Sequence, residues 1–228
     1  MKIYGLNKTT LLDYPGHLAS TIFVGGCNYR CPFCHNAGLV LKPGSELRIP
    51  EDDVLSSLKG RANILEGVCI TGGEPTLQKD LMEFIKKVKH LGLKVKLDTN
   101  GSNPDVVRAL INNGLLDCIA LDIKNSKEKY AETCGINVCI NNITECIQIL
   151  KSSGLKYEFR TTVVKNFHTI EDFISIGEWI NGADEYYLQY FRDCENVINN
   201  GLSACSDDTM LAMKTVLKGY VKHVEIRG

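Results

Sequence analysis

What most limits the fold of this chain is a repeated alternation of short apolar runs with longer amphipathic ones. Strands are expected over residues 20–24, 68–71, 94–98, 118–122, 157–163 and 185–190, with a short last strand over 221–226. Helices are expected over 50–65, 77–91, 104–113, 141–153, 169–180 and 207–220. The run 77–91 illustrates the signal: Leu81, Phe84, Ile85, Val88 and Leu91 recur at helical spacing, with lysines on the opposite face. Asn103-Pro104 reads as an N-cap and first helical residue, and Gly92, Gly114 and Gly154 sit where helices should stop. Continuous apolar strands such as 118–121 belong to a parallel sheet covered on both faces. Six strand–helix units of about 34 residues fall short of the eight units and about 250 residues of a complete barrel. The expected fold is therefore α/β, an incomplete (β/α)6 TIM-like barrel with helices outside a parallel sheet. It is read as one domain over 1–228 with an N-terminal extension over 1–18. An open doubly wound sheet is the alternative. In either fold the chemistry lies beyond the C-terminal ends of the strands.

Composition narrows the class of function. Lysine and arginine (26) nearly balance aspartate and glutamate (27), for a net charge of −1. That balance argues against a nucleic-acid or membrane-surface protein, which normally carries a basic excess. The first residues, MKIYGLN, contain no apolar core of a signal peptide, and no run approaches the roughly 18–20 apolar residues of a membrane span. A cytoplasmic location is expected. There disulfides do not persist, so the ten cysteines need another account. Three of them, Cys27, Cys31 and Cys34, fall in one loop directly after the first expected strand; the other seven are scattered.

The loop reads Gly25-Gly26-Cys27-Asn28-Tyr29-Arg30-Cys31-Pro32-Phe33-Cys34-His35-Asn36. A zinc site normally closes with a fourth Cys or His, and His35 is too close to Cys34 to serve without strain. An iron–sulfur cluster takes thiolates, and three protein ligands on a [4Fe–4S] cube leave one iron open. The second expected strand ends in Gly72-Gly73-Glu74-Pro75, a turn whose glycines permit close backbone approach to a ligand. Together these motifs resemble the radical S-adenosylmethionine (SAM) enzymes, in which SAM chelates the open iron. The resemblance implies Cys27, Cys31 and Cys34 as ligands of a single [4Fe–4S] cluster in the loop 25–36. It implies Gly72 and Gly73 at the SAM amino group, with Glu74 as their support.

Further motifs resemble the activating enzymes of glycyl-radical proteins: Asp13-Tyr14-Pro15-Gly16, Cys34-His35-Asn36, Asp98-Thr99-Asn100-Gly101 and Leu121-Asp122-Ile123-Lys124. By position, Asp98, Thr99 and Asp122 match residues holding a monovalent cation beside the SAM carboxylate. Lys124 and Arg160 match SAM contacts, and Phe33 matches an aromatic residue flanking the adenine. The histidine that pyruvate formate-lyase activators place near Phe191 is missing here. With DYPG before the first strand, the chain is more similar to activating proteins of anaerobic ribonucleoside-triphosphate reductase. That resemblance implies this glycyl-radical enzyme as partner and flavodoxin or ferredoxin as reductant.

Other readings stay open at this level: an activase of another glycyl-radical enzyme, a small-molecule radical SAM enzyme, or an iron–sulfur or zinc regulatory module. Cys69 and Cys118 lie in apolar strands and read as core residues. Cys134, Cys139, Cys146, Cys194 and Cys205 match no compact motif, so free thiols are favoured over a second metal centre. His168 reads as the residue before a helix capped by Thr169, with replacement of a lost SAM contact as the sharper alternative.

Overall fold

The computed structural model describes residues 1–44 and 47–228. The chain forms two compact units. The first comprises Met1–Asn28, Gly38–Thr99 and Asn103–Ala120; the second comprises Tyr29–Ala37, Asn100–Ser102 and Leu121–Gly228.

In the first unit lie β1 (Ile3–Thr10), β2 (Ala19–Val24), α2 (Glu51–Lys59), β3 (Gly67–Gly72), α3 (Leu81–His90), β4 (Lys94–Thr99) and α4 (Pro104–Asn112), with a short α1 (Ala37–Leu41) at its border. The strands follow chain order into β5 (Cys118–Asp122), whose last two residues belong to the second unit. β2 runs parallel to β3, and β3 to β4. Ile22, Val68, Ile70, Val95 and Leu97 are fully buried, as are Phe84, Ile85 and Val88 of α3, which packs against β4. Burying each such side chain contributes about 1.5–3 kcal/mol.

The second unit continues with α5 (Tyr130–Cys134), α6 (Ile140–Ser152), β6 (Lys156–Val163), α7 (Ile170–Trp179), β7 (Glu185–Tyr190), α8 (Asp207–Leu217) and β8 (His223–Arg227). β6, β7 and β8 are parallel. The Ile123 amide donates to the Arg160 carbonyl at 2.8 Å. Phe159, Val163, Phe173, Ile176, Tyr186, Leu188, Met210 and Met213 make the core.

All six expected strands are present, and the last expected strand appears as β8. The expected extension holds a further strand: β1 pairs antiparallel with β2, although IYGLNKTT shows no clean alternation of buried and exposed positions. The helix expected over 50–65 ends at Lys59. The one expected from 77 starts at Leu81, after a separate 3-10 turn at Pro75–Leu77. Asn103 precedes α4 but makes no capping bond; its side-chain Nδ2 donates to Thr76 Oγ1 at 2.9 Å. Thr169 does cap α7, in a reciprocal capping box with Asp172. Gly92, Gly114 and Gly154 follow their helices with positive φ, as expected. Among the described residues no helix is long and apolar enough to cross a membrane.

Candidate active site

In the first unit β2 and β3 end in register, with Val24 opposite Gly72. The chain leaves β2 through Gly25-Gly26-Cys27. The Gly73 amide donates to the Val24 carbonyl (2.7 Å) and the Glu74 amide to the Gly26 carbonyl (2.8 Å). The GGEP turn is thereby stitched to the start of the cysteine loop. Gly72 has φ +111°, and a Cβ there would lie 2.6 Å from Val24 backbone atoms; at Gly73 it would collide with the Gly26 carbonyl. Only glycine permits this approach.

Glu74 is buried and accepts from the Thr76 amide (3.0 Å), the Thr76 hydroxyl (2.6 Å) and the Thr99 hydroxyl (2.7 Å). It ties the turn after β3 to the end of β4, which suits a supporting role. The Thr99 hydroxyl proton is therefore committed to Glu74. Asp98 accepts from Lys96 Nζ at 2.6 Å, and the Lys96 side chain is only 1% exposed. Nothing in the sequence singles out Lys96, since a lysine in a strand ordinarily faces water.

In the second unit the segment from Tyr29 to Ala37 carries Cys31, Phe33 and Cys34 on a backbone held from outside. The Arg30 amide donates to the Cys134 carbonyl (2.9 Å) and the Asn199 amide to the Pro32 carbonyl (2.8 Å). His35 Nε2 lies 2.7 Å from the Arg192 carbonyl, and its ring stacks on Phe191 at 5.5 Å. Phe33 is buried 6.0 Å from the Phe167 ring. A side-chain hydrogen bond from Cys134 holds the Cys31 thiol pKa below its ordinary value; burial opposes this and Lys124 assists. Burial pushes the Cys34 thiol up. Proximity of Cys134 to Cys31 was invisible in the sequence, because α5 carries no periodic signal.

Asp122, at the end of β5, receives Arg160 Nε (3.0 Å) and Nη2 (2.9 Å) on one oxygen and Lys124 Nζ (3.0 Å) on the other. Burial disfavours its charge, yet Arg160 and Lys124 together hold the carboxyl well below the usual range. Lys124 is likewise kept charged against burial by Asp122 and Cys31. Arg160 also faces Glu158 at 3.8 Å, which binds Arg227 at 2.9 Å. Lys124, Arg160 and Arg227 thus meet the carboxylates of Asp122 and Glu158 in one charged group. Such a group suits an anionic ligand.

His168 is not aimed at a ligand. It is 4% exposed, accepts from the Val164 amide on Nδ1 (3.1 Å) and donates from Nε2 to the Lys124 carbonyl (2.8 Å). Both ring nitrogens serve to join β6 to the strand-end segment carrying Lys124. Burial lowers its pKa, so the folded protein holds it neutral. The unfolded chain then takes up a proton first as pH falls below about 6.5, and stability should drop by up to about 1.4 kcal/mol per pH unit. Urea denaturation at pH 7.5 and 5.5 checks this, and His168→Gln should flatten the dependence. An unchanged slope in the variant assigns it elsewhere.

None of the remaining cysteines is paired in a disulfide. Cys69 and Cys118 are buried strand residues, Cys146 Sγ lies 3.2 Å from the Gly101 carbonyl, and Cys139 and Cys194 are exposed. Among the described residues no three His, Cys, Asp or Glu side chains converge on a single metal-ion position.

The family model "Radical SAM superfamily" matches residues 21–180. The chain belongs to the radical SAM superfamily. It is therefore an enzyme, in a superfamily that implies a [4Fe–4S] cluster and SAM. A Methanocaldococcus jannaschii protein classed by inference as a glycyl-radical enzyme activating enzyme is 31% identical over 99% of this chain and 95% of its own length. At family level this places the radical SAM chain with activating enzymes of glycyl-radical enzymes. Streptococcus suis SuiB bound to S-adenosylmethionine shares the fold, with a TM-score of 0.69 at 17% identity over 89% of this chain and 48% of SuiB. The chain thus spans about half the length of SuiB. A domain of a pyruvate-formate lyase-activating enzyme from Bacteroides vulgatus matches with a TM-score of 0.57 at 16% identity, over 71% of this chain and 99% of that domain. The shared fold is the unclosed α/β barrel with parallel strands that the strand–helix alternation implied, not the doubly wound alternative.

The donor chemistry fits a cluster and SAM. Cys31 is a buried thiol whose surroundings favour the thiolate, the form that ligates iron. The Gly72-Gly73 turn of the first unit offers a close-approach backbone, and, taken by itself, the Lys124–Asp122–Arg160 group of the second unit offers cationic donors.

Proposed function

We propose that this chain is a radical SAM activase that generates a glycyl radical on anaerobic ribonucleoside-triphosphate reductase. The observation that carries the reading is the 31% identity extending over 95% of a relative classed with glycyl-radical enzyme activating enzymes. The DYPG and GGCNYRCPFCHN segments support the choice of partner. Cys27, Cys31 and Cys34 would hold the cluster, Gly72 and Gly73 the SAM amino group, Lys124 and Arg160 its carboxylate, and Phe33 the adenine. A cluster held there would supply the one-electron reduction that splits the C5′–S bond of SAM into methionine and a 5′-deoxyadenosyl radical. The chain's own work is to fix the two ends of SAM's amino-acid portion and to keep water from the site. In the partner a glycine Cα–H bond would break, its hydrogen atom passing to that radical to give 5′-deoxyadenosine and leaving the unpaired electron on the glycine. In this reading the protein works as a single domain in the cytoplasm, with flavodoxin or ferredoxin as electron donor.

Anaerobically reconstituted protein should hold about four irons per chain and, with dithionite, convert SAM to 5′-deoxyadenosine. Mixed with the reductase, it should yield a glycyl-radical signal by electron paramagnetic resonance. SAM cleavage without that signal, and with it on another glycyl-radical enzyme, would move the assignment to that partner.

A further inference from the structure

The resemblance implies a monovalent cation held by Asp98, Thr99 and Asp122, and the structure does not fit one. Asp98 already carries the Lys96 ammonium at 2.6 Å. The Thr99 hydroxyl donates to Glu74 at 2.7 Å. Asp122, within its own unit, is neutralised by Arg160 at 2.9 Å and Lys124 at 3.0 Å. An alkali cation needs several hard oxygens with charge to spare; the charge of both carboxylates is already met by the protein's own ammonium and guanidinium groups, and Thr99 offers only a neutral hydroxyl oxygen.

We propose that Lys96 is a built-in cation: its buried ammonium takes the electrostatic role of a monovalent metal ion beside Asp98 and makes SAM binding independent of alkali metals. Lys96 and Asp98 are two residues apart on β4, so their side chains leave the same face of the strand. Lys96 lies opposite Cys69 of β3 and is 1% exposed, while the Asp98 side chain is 12% exposed. A lysine desolvated to this degree persists only when paired. Its stem fills space in the sheet while its head delivers one fixed positive charge where the carboxylate needs it. A fixed ammonium costs no ion-ordering entropy and cannot be diluted away. Lys96 is thus a positioning residue acting through Asp98.

This inference rests on the proposed reading that the chain binds SAM. The test is equilibrium dialysis of labelled SAM against anaerobically reconstituted protein in potassium, sodium or choline chloride at equal ionic strength. The wild-type dissociation constant should vary by less than about twofold among the salts, and Lys96→Met should bind at least about tenfold more weakly in choline. Potassium or ammonium should restore the variant to within a few-fold of wild type. A pairing that merely supports the fold gives no such rescue, and unrescued loss overturns the proposal. So does a wild-type affinity that collapses in choline, a result that needs no variant and stands even if Lys96→Met fails to fold. Absence of SAM binding in every salt, with the cluster present, instead overturns the proposed function.

Discussion

Cys31→Ala should leave the reconstituted protein with less than about one iron per chain and lower SAM cleavage by at least about a thousandfold, because two thiolates cannot hold a cube that needs three protein ligands. Cys31 is the informative member of the trio. It is buried, and Cys134 and Lys124 favour its thiolate against that burial. Cys69→Ala is the matched control: Cys69 is also fully buried, but inside β3. That variant should keep its iron and its cleavage and lose only about 1 kcal/mol of stability from the small cavity. Iron analysis and chromatography of 5′-deoxyadenosine read both variants. Retained cleavage in Cys31→Ala sinks the cluster assignment, whatever happens to the iron.

Arg160→Met should produce the largest loss of stability, about 2–4 kcal/mol, since removing one partner strands a desolvated charge. The lower end is realistic because Asp122 keeps 28% of its side-chain exposure and Lys124 still reaches it. The pH dependence tests the cause. In the wild type the Asp122 pKa is depressed, so its contribution is complete above the unfolded value of about 3.9 and is lost as pH falls through the folded one. Without Arg160 the carboxyl is buried with less compensation, and its pKa rises. The variant's deficit should therefore be full at neutral pH and shrink as pH falls through its raised folded-state pKa. Denaturant melts stepped from pH 7 down to about pH 3 decide between this and a simple packing loss, which would leave the deficit constant.

Much of the fold was legible before any coordinates. The six parallel strands were legible because each is a short apolar run between well-punctuated helices. β1 was not, since its partner β2 supplies the hydrogen bonds that define it and its own residues do not alternate. The helix boundaries at Lys59 and Leu81 also escaped, because apolar residues continue past helix ends into turns. At the site, Glu74 was legible as support for its turn. The engagement of its carboxylate by Thr99 was not.

What the sequence determined by itself was the chemistry: three thiols in one short loop, a glycine turn at a strand end, and acidic residues closing the next two strands. Such spacing is a covalent property of the chain and survives in any fold that the pattern allows. Only the tertiary structure decided the charges. Asp122 meets an arginine 38 residues away, and His168 meets a carbonyl 44 residues away. Lys96 becomes an internal cation because β4 is covered on both faces. Whether a side chain is ionised depends on what excludes water from it and what stands opposite. Those neighbours are brought together by the fold and not by sequence spacing.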